Sequence, residues 1–155
     1  MPNLAAVHGK AAVGVSFGDL PRDQAGEGFR REALEMAAVL GGAVEVPESL
    51  LPVMTGLSGS GIAFVFSFVH ALALGGVKSG LAYDRALAVA VSVVEGAAAV
   101  LRAGGENPAA LISRVASPAG TTIAGLQELE DAGFTAGVMR AVEAASLRAR
   151  ELEGA

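Results

Sequence analysis

The stretch LLPVMTGLSGSGIAFVFSFVHALALGGV, residues 50–77, contains no Asp, Glu, Lys or Arg. An uncharged run of this length raises the possibility of a membrane span, which needs about 18 or more apolar residues. The run is diluted by Pro52, by hydroxyl side chains and by five glycines. Its truly apolar part, Ile62 to Leu74, is too short to cross a bilayer core of about 30 Å. The stretch therefore favours a buried core or interface helix, with a membrane helix as the alternative.

A second apolar helix is predicted from Tyr83 to Ala103, with Glu95 as the only charge between residues 86 and 101. A helix that is apolar on every face is usually buried on every face. A chain of 155 residues cannot hide two such helices inside a monomer. We therefore expect burial against a second copy, with a symmetric homodimer as the default form and higher oligomers left open.

Residues 1–47 carry the signals of an α/β structure. Two short β-capable runs, Ala11–Phe17 and Ala43–Val46, flank an amphipathic helix predicted over Asp23–Leu40. Gly41-Gly42 ends that helix in the usual glycine C-cap pattern. The apolar face of the helix is predicted to consist of Phe29, Ala33, Met36, Ala37 and Leu40.

Residues 48–155 are predicted to be helical throughout, so the predicted fold class is mainly α. Glycine and proline pairs interrupt this region and set the predicted helix bounds. The predicted helices run from Leu57 to Gly75-Gly76, from Tyr83 to Ala103, from Asn107-Pro108 to Val115, from Ser117-Pro118 to Ala132-Gly133, and from Phe134 to Leu152.

The composition argues against several kinds of partner and site. A net charge of −5 without a basic run argues against nucleic acid, which needs clustered Lys and Arg. The absence of cysteine excludes disulfides and thiolate chemistry, and it fits a reducing cytoplasm. His8 and His70 are the only histidines and lack further ligands at matching spacing, so no metal site is predicted. His70 is expected to be a buried histidine with one hydrogen-bond partner.

Glycine-rich segments do not form a recognisable phosphate loop. Gly59-Ser-Gly61 lacks the third glycine of the dinucleotide motif, and no G-x-x-x-x-G-K-[ST] occurs. The sequence therefore predicts no self-contained nucleotide site. The segment from Leu57 to Gly61 is either a glycine loop that touches a ligand or a close contact between helices.

The segment SPAGTT, residues 117–122, has the most chemical character. Ser117 is a favoured N-cap and Pro118 is favoured at the first helical position. The backbone N–H groups that follow would lie at the positive end of a helix, where anions and carboxylates bind. An ordinary helix cap is the alternative interpretation.

Taken together, several motifs resemble those of the pyrroline-5-carboxylate reductases in order and spacing, over essentially the whole chain. MPN at residues 1–3 is similar to the segment that closes the main cofactor-binding part in that family. The other matching segments are LSGSGIAF at 57–64, GVKSGL at 76–81, SPAGTTIAGL at 117–126, ELEDAGF at 128–134, AVEAA at 141–145 and RAREL at 148–152.

The resemblance implies a two-domain, cytoplasmic oxidoreductase of proline biosynthesis. In that family an amino-terminal Rossmann domain holds NADH or NADPH. A helical carboxyl-terminal domain interlocks with that of a partner chain to form a dimer. Hydride passes to the C5 imine carbon of 1-pyrroline-5-carboxylate and gives L-proline. No nucleic acid, membrane or metal partner is implied.

Carried over residue by residue, the resemblance places the substrate carboxylate on backbone amides around Ser117, Gly120, Thr121 and Thr122. The Thr122 hydroxyl would lie near the ring nitrogen as a hydrogen-bond partner and proton donor, which makes it the expected catalytic residue. Ser58 and the neighbouring glycines would form the pocket wall. On the cofactor side, Pro2 and Asn3 would lie beside the nicotinamide.

The chain also departs from the family pattern. Ile62 and Phe64 stand where the family usually has Pro and Tyr, Leu4-Ala5 stand for Thr-Pro, and His70 stands for an acidic residue. These changes affect cofactor-side packing and the entry of the helix more than carboxylate binding.

In the family, a glycine-rich strand-turn-helix and several parallel strands precede the residue that matches Met1. Residues 1–47 are then expected to be a strand-helix-strand remnant of the Rossmann domain, and 48–155 the helical dimerisation and substrate-binding domain. Strands without neighbours leave ladder groups unpaired, so the remnant is expected to be rearranged, paired across the dimer, or mobile. These 155 residues alone are expected to bind no cofactor tightly and to have little activity. A non-catalytic dimerisation or ligand-binding module is the alternative.

Overall fold

The computed structural model describes residues 1–154, which are mainly helical and contain one two-stranded sheet. The mainly α prediction is confirmed. The chain forms two compact units. One combines Met1–Phe64 with the residues from Val138 onward, and the other is Val65–Gly137. The predicted division after residue 47 remains a prediction.

The sheet lies in the first unit and is a β-α-β arrangement. Strand β1, Ala11–Val15, pairs in parallel with strand β2, Gly41–Glu45, and helix α1, Gln24–Ala38, connects them. Asp23 caps α1 by accepting a 2.8 Å hydrogen bond from the Gly26 amide. The predicted strand-helix-strand order is confirmed, although β1 ends two residues before Phe17. Each strand pairs with the other within the chain, and the prediction that the segment is rearranged, paired across the dimer or mobile stays a prediction.

The predicted apolar face of α1 is covered only in part, since Ala33 and Ala37 are half-buried. Phe29 and Met36 are 57% and 68% exposed, whereas Arg30 is buried. Its guanidinium donates to the Glu45 carboxylate and to the Leu20 carbonyl, both at 2.7 Å. A two-stranded sheet covers only a narrow strip of the helix, and that strip is filled by an arginine whose charge is paired.

The predicted start of the first long helix is also wrong. A 3₁₀ turn over Glu48–Leu50 leads into helix α2, Leu51–Met54, then a π-helical turn over Thr55–Ser60, and then helix α3, Gly61–Lys78. Pro52 lies in the first turn, where its missing N–H costs nothing. The glycines therefore lie inside a continuous helical segment rather than opening it, and α3 continues past the predicted stop at Gly75-Gly76.

The π turn contacts the last helix, α7, Phe134–Glu153, through a glycine. A Cβ atom on Gly56 would overlap the Ser146 hydroxyl and lie 2.7 Å from the Val142 carbonyl oxygen. The close helix contact considered for this segment thus occurs at Gly56, one residue before the predicted segment begins.

The second unit is entirely helical. Helix α4 begins at Tyr83 as predicted, and the Gly76 backbone approaches it so closely that an added Cβ would lie 2.9 Å from the Ala86 Cβ. Asn107 caps α5 by accepting from the Ala110 amide at 2.9 Å. The helices are α4, Tyr83–Gly104; α5, Pro108–Val115; and α6, Thr121–Asp131, together with most of α3.

Buried apolar side chains in residues 1–154 are all small. Apart from Val13 and Pro52 they are alanines, and bulky side chains such as Phe66 and Val93 are each 56% exposed. Two helical segments, Glu48–Lys78 and Tyr83–Gly104, are long and apolar enough to span a membrane by length and composition alone. Only 6% and 11% of their most apolar windows are buried within the chain. The apolar faces predicted from the sequence are therefore present and uncovered.

We predict that Gly56→Ala destabilises the first unit by about 1–3 kcal/mol, because the added methyl overlaps the α7 backbone and the Ser146 hydroxyl. Urea unfolding followed by circular dichroism measures the change. Gly28→Ala in α1 is the matched control, since a Cβ there meets no other described atom within 4 Å. It should stabilise by about 0.5–1 kcal/mol. Equal effects of the two variants would contradict the tight contact at Gly56.

Candidate functional site

One group of predicted site residues comes together where the chain start crosses the π turn. The Asn3 side-chain amide donates to both the carbonyl and the hydroxyl of Ser58, each at 3.2 Å. The Ser58 hydroxyl donates to the Ala12 carbonyl on β1 at 2.8 Å. The Asn3 side-chain oxygen accepts from the Ala5 amide at 3.1 Å, which caps a short 3₁₀ turn. Residues predicted for the cofactor side and for the pocket wall are therefore neighbours.

The polar groups of this cluster are used within the chain. Ser58 is only 7% exposed, and both its hydroxyl and its carbonyl already have partners. The geometry favours a supporting role for the Asn3 and Ser58 side chains over direct contact with a ligand. The surface left for a ligand here consists of exposed Pro2 and of the backbone at Gly59. Gly59 is not tightly packed, because an added Cβ atom would come no closer than 3.8 Å to the Met1 side chain.

The second group lies at the amino end of α6, and here the predicted cap is wrong. The helix begins at Thr121, and Gly120 rather than Ser117 occupies the cap position. Residues 117–120 form a tight turn in which the Gly120 amide donates to the Ser117 carbonyl at 3.1 Å. Ala119 has a φ of 54°, a left-handed conformation that costs a side-chain-bearing residue about 1–2 kcal/mol. The turn pushes the start of the helix three residues beyond the position that Pro118 suggested.

This turn leaves the first amides of α6 unpaired among the described residues. The first α6 amide with a backbone acceptor is that of Ala124, which donates to the Gly120 carbonyl at 3.4 Å. Gly120 provides no side-chain cap. The N–H groups of Thr121, Thr122 and Ile123 are thus open at the positive end of a helix, the arrangement that binds carboxylates.

The backbone amide and the side chain of Thr122 lie in different environments. Its amide belongs to the open helix end, while its half-buried side chain borders a groove of about 390 Å³ between α4, α5 and α6. The rest of the groove is apolar, with Ala97, Val100, Leu101, Pro108, Leu111, Ile112, Val115 and Leu126 as its lining. Ser117 and Thr121, by contrast, are exposed.

The surroundings of His70 do not support a catalytic or metal-binding role for this histidine. His70 is exposed rather than buried as predicted, because nothing within the described chain covers that face of α3. The predicted single partner exists: the Tyr83 hydroxyl lies 3.1 Å from the His70 Nδ1. Residues 1–154 contain no group of three or more Asp, Glu or His placed to hold a metal ion.

Sequence reasoning missed two features of these sites. The hydrogen bonds that Asn3 donates to Ser58 span 55 residues and leave no local signal. The left-handed Ala119 was missed because glycine is the usual signal for that conformation.

We predict that Ser58→Ala destabilises the chain by about 1–3 kcal/mol, because it removes both hydrogen bonds of the Ser58 hydroxyl, the one it donates to the Ala12 carbonyl and the one it accepts from the Asn3 amide. Ser60→Ala on the same turn is the control, since the Ser60 hydroxyl forms no hydrogen bond within residues 1–154, and it should change stability by less than about 0.5 kcal/mol. Amide hydrogen exchange should also accelerate at Ala5 in Ser58→Ala alone, because Asn3 is then held less firmly. Unchanged exchange at Ala5 would argue against the cluster.

Comparison with protein families gives one match over more than half of the chain. Residues 48–152 match the family model described as pyrroline-5-carboxylate reductase dimerisation. The matched region contains the π turn, all of α3 to α6 and the open helix end at Thr121.

Curated relatives match almost the entire chain but are longer. A pyrroline-5-carboxylate reductase of Methanosarcina acetivorans is 45% identical over 154 residues, which are 98% of this chain and 55% of the relative. The Arabidopsis thaliana reductase is 43% identical and is covered to 54%. The chain thus spans about half the length of the curated relatives it matches.

Solved structures agree with the sequence comparison. A pyrroline-5-carboxylate reductase of Coxiella burnetii superposes with a TM-score of 0.91 at 27% identity, over 98% of this chain and 55% of that one. The Streptococcus pyogenes enzyme gives 0.87 at 30% identity, over 97% and 57%. A Plasmodium falciparum pyrroline carboxylate reductase with NADP bound gives 0.82 at 26%, over 97% and 60%. The resemblance drawn from the sequence motifs is confirmed, and the chain belongs to the pyrroline-5-carboxylate reductase family.

Proposed function

We propose that these residues form the substrate-carboxylate and dimerisation part of an enzyme that reduces 1-pyrroline-5-carboxylate to L-proline with NADH or NADPH, in the cytoplasm. The observation that carries the proposal is the open amino end of α6, followed at its second position by Thr122. The proposed substrate of a member of the reductase family has one permanent charge, its carboxylate. This carboxylate is the proposed ligand of the helix end.

The carboxylate fits the helix end for electrostatic reasons. The unpaired amides of Thr121, Thr122 and Ile123 point out of the helix at its positive end. A cap residue with a side-chain oxygen would compete for those amides, and Gly120 supplies none among the described residues. A Cβ atom added to Gly120 would overlap the Ser117 hydroxyl, so only glycine fits at this cap position.

The proposed role of Thr122 follows from its position beside the carboxylate site. When the carboxylate lies on the α6 amides, the ring of the substrate is within reach of the Thr122 hydroxyl. Reduction forms a C–H bond at C5, moves the C=N π electrons to nitrogen, and requires a proton at that nitrogen. The hydroxyl is proposed to hydrogen-bond the nitrogen and to pass its proton to it while taking one from solvent water, so that Thr122 remains neutral. The apolar surroundings of the groove would strengthen this hydrogen bond, because they exclude water.

NADH or NADPH would supply the hydride when bound. Pro2 and Asn3 are proposed to lie beside the nicotinamide, with Asn3 contributing backbone because its side chain is committed to Ser58. No dinucleotide phosphate loop occurs in the 155 residues. These residues alone are therefore proposed to bind the cofactor weakly.

A second copy of the chain is the proposed partner, and no metal, nucleic acid or membrane is proposed. The uncovered apolar side chains of α3 and α4 would be buried in a symmetric dimer, from which a higher oligomer could be built. A non-catalytic dimerisation or ligand-binding module of the same family is the alternative function.

We predict that L-proline binds the purified chain and that Thr122→Ala weakens this binding about tenfold, which corresponds to one hydrogen bond to a charged ligand. Isothermal titration calorimetry measures both affinities. Thr135→Ala is the matched control, because Thr135 lies in the first turn of α7 and its hydroxyl bonds only Glu130, at 2.8 Å. It should leave the affinity unchanged. No heat with the wild-type chain would count against the carboxylate site, and equal affinities for Thr122→Ala and wild type would count against the contact made by the Thr122 hydroxyl.

We predict that the purified 155-residue chain turns over 1-pyrroline-5-carboxylate with NADPH far more slowly than about 1 s⁻¹, a typical enzyme rate. The reason is the missing phosphate loop. The loss of NADPH absorbance measures the rate. Turnover at a typical enzymatic rate would show that these residues bind the cofactor productively on their own.

A further inference from the structure

Residues 1–3, which are proposed to lie beside the nicotinamide, use most of their backbone polar groups within the chain. The backbone nitrogen of Met1 donates to the Gly14 carbonyl, and the Met1 carbonyl accepts from the Gly14 amide at 3.1 Å. The Asn3 carbonyl accepts from the Ala6 amide at 3.1 Å. Pro2 therefore lies between two residues whose backbone is already held.

The Asn3 side chain is used at both of its polar ends. Its oxygen accepts from the Ala5 amide at 3.1 Å, and its nitrogen donates to the carbonyl and the hydroxyl of Ser58, each at 3.2 Å. Because only the oxygen of an amide side chain can accept from an N–H, the Ala5 bond directs the nitrogen toward Ser58. Ala5 stands where the family usually has Pro, which has no N–H to donate. This chain therefore fixes Asn3 with a bond that the usual family residue cannot form.

The Pro2 carbonyl is the accessible acceptor that remains in this segment. It has no donor among the described residues, and proline carries no N–H that could compete for a ligand. The Asn3 amide is the other unpaired backbone group of the described segment, but Asn3 is half-buried whereas Pro2 is exposed. Gly59 lies near the Met1 side chain without tight packing, since an added Cβ atom would come no closer than 3.8 Å. A flat ligand can therefore reach the segment.

A free carbonyl selects ligands that can donate a hydrogen bond. The nicotinamide ring carries a primary carboxamide, whose NH₂ group is such a donor. We propose that the Pro2 carbonyl accepts a hydrogen bond from this carboxamide. Asn3 is the positioning residue, since its bonds to Ala5 and Ser58 hold the peptide group that contains the carbonyl. Misplacing a binding group by about 1 Å is enough to weaken a site strongly. This contact rests on the proposed function, which supplies the nicotinamide.

Nicotinamide and methyl nicotinate are the matched probes, because the ester keeps the ring and the carbonyl but has no N–H. Each is titrated into the isotope-labelled chain, and nuclear magnetic resonance follows the Asn3 amide, which belongs to the same peptide group as the Pro2 carbonyl. Nicotinamide should shift this resonance to saturation, with a dissociation constant of about 1 mM for so small a ligand. Methyl nicotinate should bind about tenfold more weakly, as expected for one lost hydrogen bond. Equal affinities of the two probes would overturn the carboxamide contact.

Asn3→Asp tests the positioning role, because it keeps the oxygen that accepts from Ala5 and removes the donors to Ser58. Asn107→Asp is the matched control, since the Asn107 oxygen caps α5 in the same way and its side-chain nitrogen has no partner within the described chain. Asn3→Asp should lower the nicotinamide affinity about tenfold and leave the L-proline affinity unchanged. Asn107→Asp should match the wild type for both ligands. Wild-type nicotinamide affinity in Asn3→Asp, or an equal loss for both ligands, would overturn the positioning role.

The L-proline titration of the wild-type chain separates this contact from the proposed function. Binding of L-proline without nicotinamide would overturn the carboxamide contact and leave the carboxylate site standing. Binding of nicotinamide without L-proline would count against the proposed function instead. Unchanged amide exchange in α1 would then show that Asn3→Asp is folded. Failure of both ligands to bind would count against both proposals.

Discussion

The uncovered apolar surface of α3 and α4 is the constraint on which the rest of the structure depends. Both helices carry apolar side chains on nearly every face, and one chain of this size can cover only a few of them. What is buried within the chain is small: Ala73, Ala86 and Ala90 lie at the helix contacts, and Gly76 permits the closest approach. The bulky side chains face outward. Membership of a family with a dimerisation region explains this pattern better than a membrane does, since each copy can cover the other.

The first unit is held together by polar contacts as much as by apolar ones. A series of hydrogen bonds runs from Asn3 through Ser58 to the β1 backbone and joins distant parts of the sequence. Gly56 lets the π turn approach α7. Such turns widen the helix and redirect its backbone groups, and they are frequent near functional sites. Here the widening presents the Ser58 carbonyl and hydroxyl to Asn3. The residues predicted for ligand contact thus serve first to fix the backbone around them.

Sequence reasoning predicted elements whose signals are local. The helix-rich fold, the strand-helix-strand order of residues 1–47 and the start of α4 follow from periodicity and from glycine and proline positions. It failed where contacts between residues far apart in the sequence determine the structure. Gly59 and Gly61 mark a helix start in sequence, yet the helical backbone already begins before them and runs through the π turn, in which Gly56 packs against α7. Ser117-Pro118 has the pattern of a helix start, yet the turn at Ala119 delays α6 to Thr121. Arg30 could not be predicted as buried because its partner Glu45 lies 15 residues away.

In the candidate site, too, only the features with local signals were predictable from the sequence. That residues 117–122 contain a helix start with open amides was predictable from cap chemistry, although these amides lie later in the segment than the cap pattern indicated. The apolar groove beside Thr122 was not predictable, because its lining comes from three helices that meet only in the folded chain. His70 is exposed for the same reason that the groove is open: both lie on surfaces that a single chain leaves uncovered.

The molar mass of the purified chain in detergent-free buffer tests this account most directly. Size-exclusion chromatography with light scattering would measure it at several concentrations. Mutual covering of α3 and α4 predicts twice the chain mass of 15.4 kDa, or a higher even multiple, that persists on dilution. A stable, detergent-free monomer would contradict the account, because its apolar helices would then remain uncovered in water without consequence. A chain that stays in solution only with detergent would contradict it as well.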